Sequence, residues 1–207
     1  MLLGLNAATI LISGENMKKL VIAGLASVAV ALPVIAALNK GDAAPMFKAQ
    51  ASLAGKEFSY SLADELKKGP VVVYFYPSAY TQGCNIQAHT FAENMDAFNA
   101  AKATVVGVSL DSIARLNDFS ADPAYCAGKL AVASDTDGAI AKSYGLQVRE
   151  GRAGMKDTRG VDIDHGFTER TTFIVTSDGK VAATVGGVSP EENVAQALQA
   201  VKGLSAL

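Results

Sequence analysis

The sequence predicts an α/β fold: a central, mostly parallel sheet with helices on both faces, closed by a C-terminal β-hairpin and a helix. Three observations predict it. Val71 to Tyr76, VVVYFY, and Ala103 to Leu110, ATVVGVSL, are continuous apolar runs of strand length, the pattern of strands covered on both faces. A helix-length segment separates them, and strands alternating with helices imply parallel strands joined by crossovers. Near the C-terminus, Thr171 to Val175 and Lys180 to Val185 flank the turn residues Thr176-Ser177-Asp178-Gly179, which reads as a hairpin.

In chain order, Phe58 to Leu62 alternates apolar and polar residues as a short edge strand does. Ser61 to Lys68 forms a helical turn stopped by Gly69-Pro70. Val71 to Tyr76 is the central strand. A helix starting at Gln82 or Gly83 runs to Ala101, with Ile86, Phe91, Met95 and Phe98 as the stripe that packs on the sheet. After the Ala103 to Leu110 strand, a helix begins with Asp111 or Ser112 as its cap. Leu130 to Ser134 is a third buried strand, followed by the turn DTDG and a short helix, Ala139 to Tyr144, stopped by Gly145. Val148 to Thr168 has no period and is expected to be a surface loop. Pro190 to Val201 is a closing amphipathic helix with Ser189 as cap and Pro190 at its first position.

At 207 residues the chain reads as one folded domain, 38–207, behind a leader, 1–37. Met17 to Ala37 has a short basic start, an apolar run and small residues at its end, the chemistry of a secretory signal. Pro33, Ala36 and Ala37 favour cleavage after Ala36 or Ala37 over retention as a membrane anchor, which predicts a periplasmic or secreted protein with no stable membrane partner. Met17 is the expected true start, because residues 1–16 precede the basic residues with which a signal begins. The net charge of -2, with scattered lysines and arginines, gives no reason to invoke nucleic acid. The two cysteines, Cys84 and Cys126, form neither a disulfide scaffold nor a zinc pattern, so no metal or cofactor is expected.

The chemistry concentrates in Tyr74 to Gln87, YFYPSAYTQGCNIQ, where a strand ends at Pro77 and a helix begins around Cys84. The first N–H groups of a helix lack intrahelical partners and carry partial positive charge, so a sulfur in the first turn is favoured as thiolate. Thr81 offers a hydroxyl to that sulfur or to an incoming oxygen, and Pro77 closes the loop without presenting an N–H. The junction lies at the carboxyl end of a sheet strand, where ligands of such folds bind.

Pro77, Thr81 and Cys84 reproduce P-x-x-x-T-x-x-C, and on that motif the chain resembles the peroxiredoxins, thiol peroxidases of thioredoxin-like fold in the alkyl hydroperoxide reductase/thiol-specific antioxidant group. The wording Y-F-Y-P-x-x-x-T-x-G-C is most similar to the Q-type, or bacterioferritin comigratory protein, branch. Gly41 to Phe47 resembles the entry motif G-x-x-A-P-D-F, with Met46 in place of Asp. Arg170-Thr171-Thr172-Phe173-Ile174-Val175, followed by Asp178-Gly179-Lys180, resembles the strand bearing the family's arginine. The likeness runs from about Asn39 to Leu204.

The resemblance implies that Cys84 attacks a peroxide and becomes a sulfenic acid, with Thr81 holding the peroxide and Arg170 sharing the negative charge. Gln87 stands where the family carries a polar residue that positions the arginine. The position five residues after Cys84, where many Q-type relatives keep a resolving cysteine, is His89. Cys126 is the remaining resolving candidate; otherwise an external thiol must complete the cycle. The expected partners are a peroxide and a thioredoxin-like or small-thiol reductant, and the protein a monomer or homodimer. His89 reads as helix surface or a satisfied core group, and His165 shows no evident partner. A different class, an exported copper-handling protein of the Sco type, would use Cys84, His89 and His165 as ligands but lacks that group's C-x-x-x-C pair. A general disulfide oxidoreductase would need C-x-x-C.

Overall fold

The computed structural model describes residues 36–204. The leader over 1–35, including Met17 and Pro33, lies outside them, as do residues 205–207. Seven strands form one sheet in the order β2-β1-β5-β4-β3-β8-β9. Its three middle strands, β5 (Ala131–Ser134), β4 (Thr104–Ser109) and β3 (Val71–Phe75), run parallel. Antiparallel pairs flank them: β1 (Lys48–Leu53) with β5 and with β2 (Lys56–Ser61), and β8 (Thr171–Val175) with β3 and with β9 (Val181–Gly186).

Alternation along β3 divides the core in two. Val71, Val73 and Phe75 face Leu62 of α1 (Leu62–Glu65) and Ala141 of α4 (Ala139–Ser143). Val72 and Tyr74 face the other way, toward α2 (Gln82–Ala100), α3 (Ile113–Ala121) and α5 (Pro190–Leu204). Every residue of β3 is buried, as its unbroken apolar run requires. β3 is interior but one place from the middle, which belongs to β4. The Tyr74 ring lies flat over β4: a Cβ on Gly107 would come within 2.5 Å of its Cζ and hydroxyl.

Four sequence expectations change. β1 was not anticipated, and β2 begins earlier than the Phe58 to Leu62 assignment. The two strands are joined by the two-residue turn Ala54-Gly55, both residues at positive φ, so an alanine fills a position for which asparagine is the usual signal. The stripe of α2 is also different. Phe91 and Phe98 are buried and Met95 packs beside them, but Ile86 is half-buried while polar Asn85 and Gln87 turn inward. The cap of α3 agrees with expectation: of the two candidates it is Ser112, whose hydroxyl accepts from Arg115 N–H at 3.4 Å.

The fourth change concerns 148–168. Val148–Arg149 (β6) and Phe167–Thr168 (β7) pair as a short ribbon, and between them Asp157 and Ile163 are buried. Most of the segment is exposed, as expected of a surface loop, but through Asp157, Thr158 and His165 it is anchored onto the Pro77 to Thr81 turn. At the other edge, Leu38 to Ala44 runs along β9: Gly41 N–H donates to Val181 O at 2.8 Å, Val181 N–H to Asp42 O at 2.9 Å, and Thr184 Oγ1 to Leu38 O at 2.6 Å. Gly107→Ala is expected to lower stability by about 1–3 kcal/mol, the cost typical of overpacking a filled core. A urea denaturation midpoint equal to the unsubstituted protein's would show that the Tyr74 ring moves freely aside.

Candidate active site

β3 and β8 pair with Val71 opposite Val175 and Phe75 opposite Thr171. Continued by one step, this register sets Arg170 beside the point where β3 leaves the sheet for Pro77, although Arg170 and Cys84 are far apart in sequence. Pro77 follows Tyr76 directly and, with Arg170, Phe167 and Thr168, lines a cleft of about 660 Å³.

Cys84 is the third residue of α2 and is 2 % exposed. Its N–H and that of Asn85 both donate to Thr81 O, at 3.0 and 2.8 Å, which fixes Thr81 as the residue on which the helix opens. The Thr81 hydroxyl donates to Ser78 O at 2.8 Å. Its proton is therefore engaged within the turn, and what it can offer a ligand is an oxygen lone pair.

Arg170 Nη2 lies 3.4 Å from Cys84 Sγ. A guanidinium there, added to the positive end of α2, stabilises negative charge on sulfur. Its other arm is also held: Nη1 donates to Gln87 Oε1. Gln87, fully buried one turn after Cys84, donates from Nε2 to Asn193 Oδ1 at 2.9 Å. The same oxygen accepts from Thr172 Oγ1 at 2.5 Å, and Asn193 Nδ2 donates to Val185 O at 3.1 Å. Four elements, α2, α5, β8 and β9, thus fix the direction of one guanidinium. Gly83 makes room for it, since a Cβ there would stand 3.0 Å from Arg170 Nη2.

On the other side, the 78–81 turn is gripped by groups outside the predicted catalytic set. Ala79 N–H donates to Asp111 Oδ2 at 2.8 Å and Ala79 O accepts from Arg115 Nη2 at 2.9 Å. Tyr80, at φ 62 and so in a costly conformation for a non-glycine residue, has its carbonyl bound by Thr158 N–H and Thr158 Oγ1 at 2.9 and 2.8 Å. Arg159 lies over the Tyr80 ring, 3.2 Å from its centroid. His165, for which no partner was expected, is hydrogen bonded to Asp111 Oδ1 at 2.8 Å.

The structure therefore brings Cys84, Arg170 and Gln87 into one network and sets Thr81 and Pro77 at its rim. Cys126 belongs to the same buried cluster as Cys84 and Tyr74, in the Asp122 to Lys129 turns after α3, and both cysteines are free. Burial, with a smaller push from Asp122, drives the Cys126 thiol pKa far above its ordinary value, so it rests protonated. His89 is exposed on α2 beside Glu93, 3.2 Å away, and His165 is committed to Asp111. The copper-ligand set of Cys84, His89 and His165 is thus not assembled, and among the described residues no group of three or more His, Cys, Asp or Glu side chains could hold a metal ion.

Residues 40–184 match the sequence profile of the AhpC/TSA family. The chain is 30% identical to peroxiredoxin Bcp of Escherichia coli K12 over 144 residues, 70% of this chain and 83% of that protein. It is 33% identical to a putative peroxiredoxin of Mycobacterium tuberculosis over 159 residues, 77% of this chain and 92% of the relative. Among solved structures it is similar to peroxidoxin BcpB of M. tuberculosis, with TM-score 0.67 and 25% identity, covering 81% of this chain and 98% of that one. It is also similar to peroxiredoxin Q of Xanthomonas campestris, with TM-score 0.60 and 25% identity, covering 75% and 90%. None of these relatives is a copper-handling protein by name, and the Sco-type reading has no support. With its profile match spanning most of the chain and the thioredoxin-like fold shared with solved members, this protein belongs to the AhpC/TSA family and is a peroxiredoxin, an oxidoreductase.

Proposed function

We propose that Cys84 is the residue that reacts with peroxide and that Arg170, Thr81 and Gln87 serve that reaction. The observation that carries this reading is the 3.4 Å approach of Arg170 Nη2 to Cys84 Sγ. The Cys84 thiolate attacks the terminal oxygen of ROOH, the O–O bond breaks, and RO⁻ leaves and takes a proton as ROH. Cys84 is left as a sulfenic acid. Charge moves from sulfur to the departing oxygen during this step, and the guanidinium reaches both without reorienting, because Gln87 and Asn193 already hold it. Thr81 Oγ1 accepts a hydrogen bond from the hydroperoxide, its own proton being given to Ser78 O. Hydrogen peroxide and organic hydroperoxides both satisfy this chemistry; the X. campestris relative is described as reducing alkyl peroxides.

Turnover needs a thiol. Cys126–SH condenses with the sulfenic acid to give a disulfide and water, and a thioredoxin-like or small-thiol reductant restores both thiols. The buried Cys126 must leave its apolar packing to do so. Because the leader of 17–37 marks the chain for export, that reductant works outside the cytosol. Cleavage after Ala36 or Ala37 leaves intact the Leu38 to Ala44 strap along β9. N-terminal sequencing of protein recovered from the producing cells should read Ala37 or Leu38; a chain still beginning at Met17 would end the cleavage reading in favour of a retained membrane anchor.

Cys84→Ser is expected to abolish hydrogen peroxide consumption by the purified thiol form, and residual turnover would remove Cys84 from the mechanism. With Cys126→Ser, intact mass after one equivalent of peroxide should show a sulfenic acid where the unsubstituted protein shows an internal disulfide. Gly83→Ala separates charge placement from stability. Alanine is favoured over glycine in a helix by up to about 1 kcal/mol, so the variant should unfold no earlier. Its Cβ would push Arg170 off the sulfur and slow the peroxide reaction about tenfold, equivalent to ~1.4 kcal/mol in the barrier. An unchanged rate constant would mean that the guanidinium contact contributes nothing.

A further inference from the structure

Asp111 lies at the end of β4 with no exposure, and five groups from four parts of the chain converge on it. Oδ1 accepts from His165 Nε2 at 2.8 Å and from Ser78 Oγ at 3.1 Å, with Arg115 Nε in ion-pair contact at 2.9 Å. Oδ2 accepts from Ala79 N–H at 2.8 Å and Ser109 Oγ at 2.7 Å. Arg115 reaches onward to Ala79 O at 2.9 Å and to Asp157 Oδ2 at 2.8 Å, and Asp157 holds Arg159. None of these side chains has a part in the proposed reaction. Asp111, His165 and Arg115, however, bear directly on Ser78 and Ala79, and Ser78 O is the acceptor that orients the Thr81 hydroxyl.

We infer that Asp111 and His165 are positioning residues: by clamping Ser78 and Ala79 to the 155–166 segment they aim the Thr81 oxygen at the peroxide. This inference rests on the proposed role of Thr81 and Cys84. The hydrogen bonds fix the state of His165. Nδ1 lies 2.7 Å from Gly166 O and Nε2 2.8 Å from a carboxylate oxygen, both acceptors only, so both ring nitrogens donate and the ring is imidazolium. Loss of a proton removes the charge that binds His165 to Asp111 and leaves one ring nitrogen with a lone pair facing an acceptor. Where that nitrogen is Nε2, the Ser78 hydroxyl, 3.3 Å away, turns to it from the carboxylate, loosening the start of the turn.

The electrostatics agree from both sides. Burial alone would lower the His165 pKa, but the hydrogen bond and charge of Asp111 outweigh it and raise the value above 6.5, with Arg115 opposing. Burial likewise works against the Asp111 carboxylate, and His165 with Ser109 and Ala79 overcomes it and lowers the value below 3.8. A raised histidine value means that the clamp is complete below about 6.5 and is lost as pH climbs through the folded value. His165 also opens onto a cleft of about 490 Å³ whose other charged lining groups are Lys142, Arg149, Glu150, Arg152 and Asp164, exposed and of both signs.

The test is the single-turnover rate constant of the reduced protein with hydrogen peroxide, read by rapid quench and intact mass from pH 6 to pH 9.5. The wild-type profile should carry a fall on its alkaline side. His165→Ala should be slower at pH 6 by about tenfold, and His165→Gln, which restores an N–H donor that does not titrate, should recover most of that loss and abolish the alkaline fall. Asp111→Asn should slow the reaction alone but add little to Thr81→Val, since both act through one oxygen. If the alkaline fall persists in His165→Gln, or the Asp111 and Thr81 effects simply add, the inference is overturned. Should Asp111→Asn not fold, the three-way comparison at position 165 decides. A wild-type thiol inert to peroxide would instead sink the peroxidase reading itself, a distinguishable result.

Discussion

A positive guanidinium held 3.4 Å from one sulfur at the start of a helix is the constraint on which the rest of the site depends. A long side chain reaches such a position only if its alternatives are removed, and here the removal is done by buried amides. Gln87 and Asn193 are fully buried, and each satisfies its neighbour. Removing either would strand polar atoms in the core at about 1–3 kcal/mol each. The last helix, α5, is therefore more than a cover for the sheet. Its inward face carries one amide, Asn193, and through it the docking of α5 and the aim of Arg170 become the same event.

The opposite wall is built on a different principle. The 77–81 turn has no regular hydrogen-bond ladder, and Tyr80 takes up a left-handed conformation that a residue with a Cβ avoids. Such a turn persists only where its surroundings over-determine it. Thr158 binds the Tyr80 carbonyl twice, Arg159 and Phe119 sandwich the ring from different directions, and Asp111 with Arg115 grips Ala79 at both its N–H and its C=O. Rigid placement of the sulfur and its charge partner comes from packed regular elements; rigid placement of the hydroxyl comes from a salt-bridged loop. The second wall is the more sensitive to pH and to the state of the 148–168 segment.

What was legible in the sequence follows this division. Continuous apolar runs located β3 and β4, hairpin turn residues located β8 and β9, and the spacing of Pro77, Thr81 and Cys84 located the junction because local chain geometry alone brings those residues together. Arg170 and Gln87 were found only through family resemblance. Asn193 stood in an amphipathic helix pattern that gives no reason to expect a polar residue inside. The strand β1 was missed because its turn uses Ala54 where asparagine would have announced it. The 148–168 segment looked like solvated loop because its charges are many; their partners, Asp111 and Arg115, lie far earlier in the sequence, and periodicity carries no information about such pairs. The cap of α3 left a small trace. Asp111 and Ser112 were equally good candidates, and Ser112 took the role because Asp111 was already committed to the turn.

The two walls also set the terms on which the second cysteine can act. Cys126 is buried and protonated in the core cluster that also holds Tyr74, Tyr76 and Phe119, and Tyr74 lies within electrostatic reach of both sulfurs. An opening of the first turn of α2 that carried a Cys84 sulfenic acid toward Cys126 would break the two N–H bonds to Thr81 O and the contact of Asn85 with Thr158 at 3.3 Å. Those are the contacts that hold the sulfur in place for peroxide. If Cys126 resolves Cys84 in this way, tighter clamping of the turn favours the first step at the expense of the second. Asn85 Oδ1 has no hydrogen-bond partner among the described residues, as is also true of the Tyr74 and Tyr76 hydroxyls, Arg115 Nε and Thr168 Oγ1. Opening there gives up three hydrogen bonds, so it proceeds only where the disulfide that it permits offsets their loss.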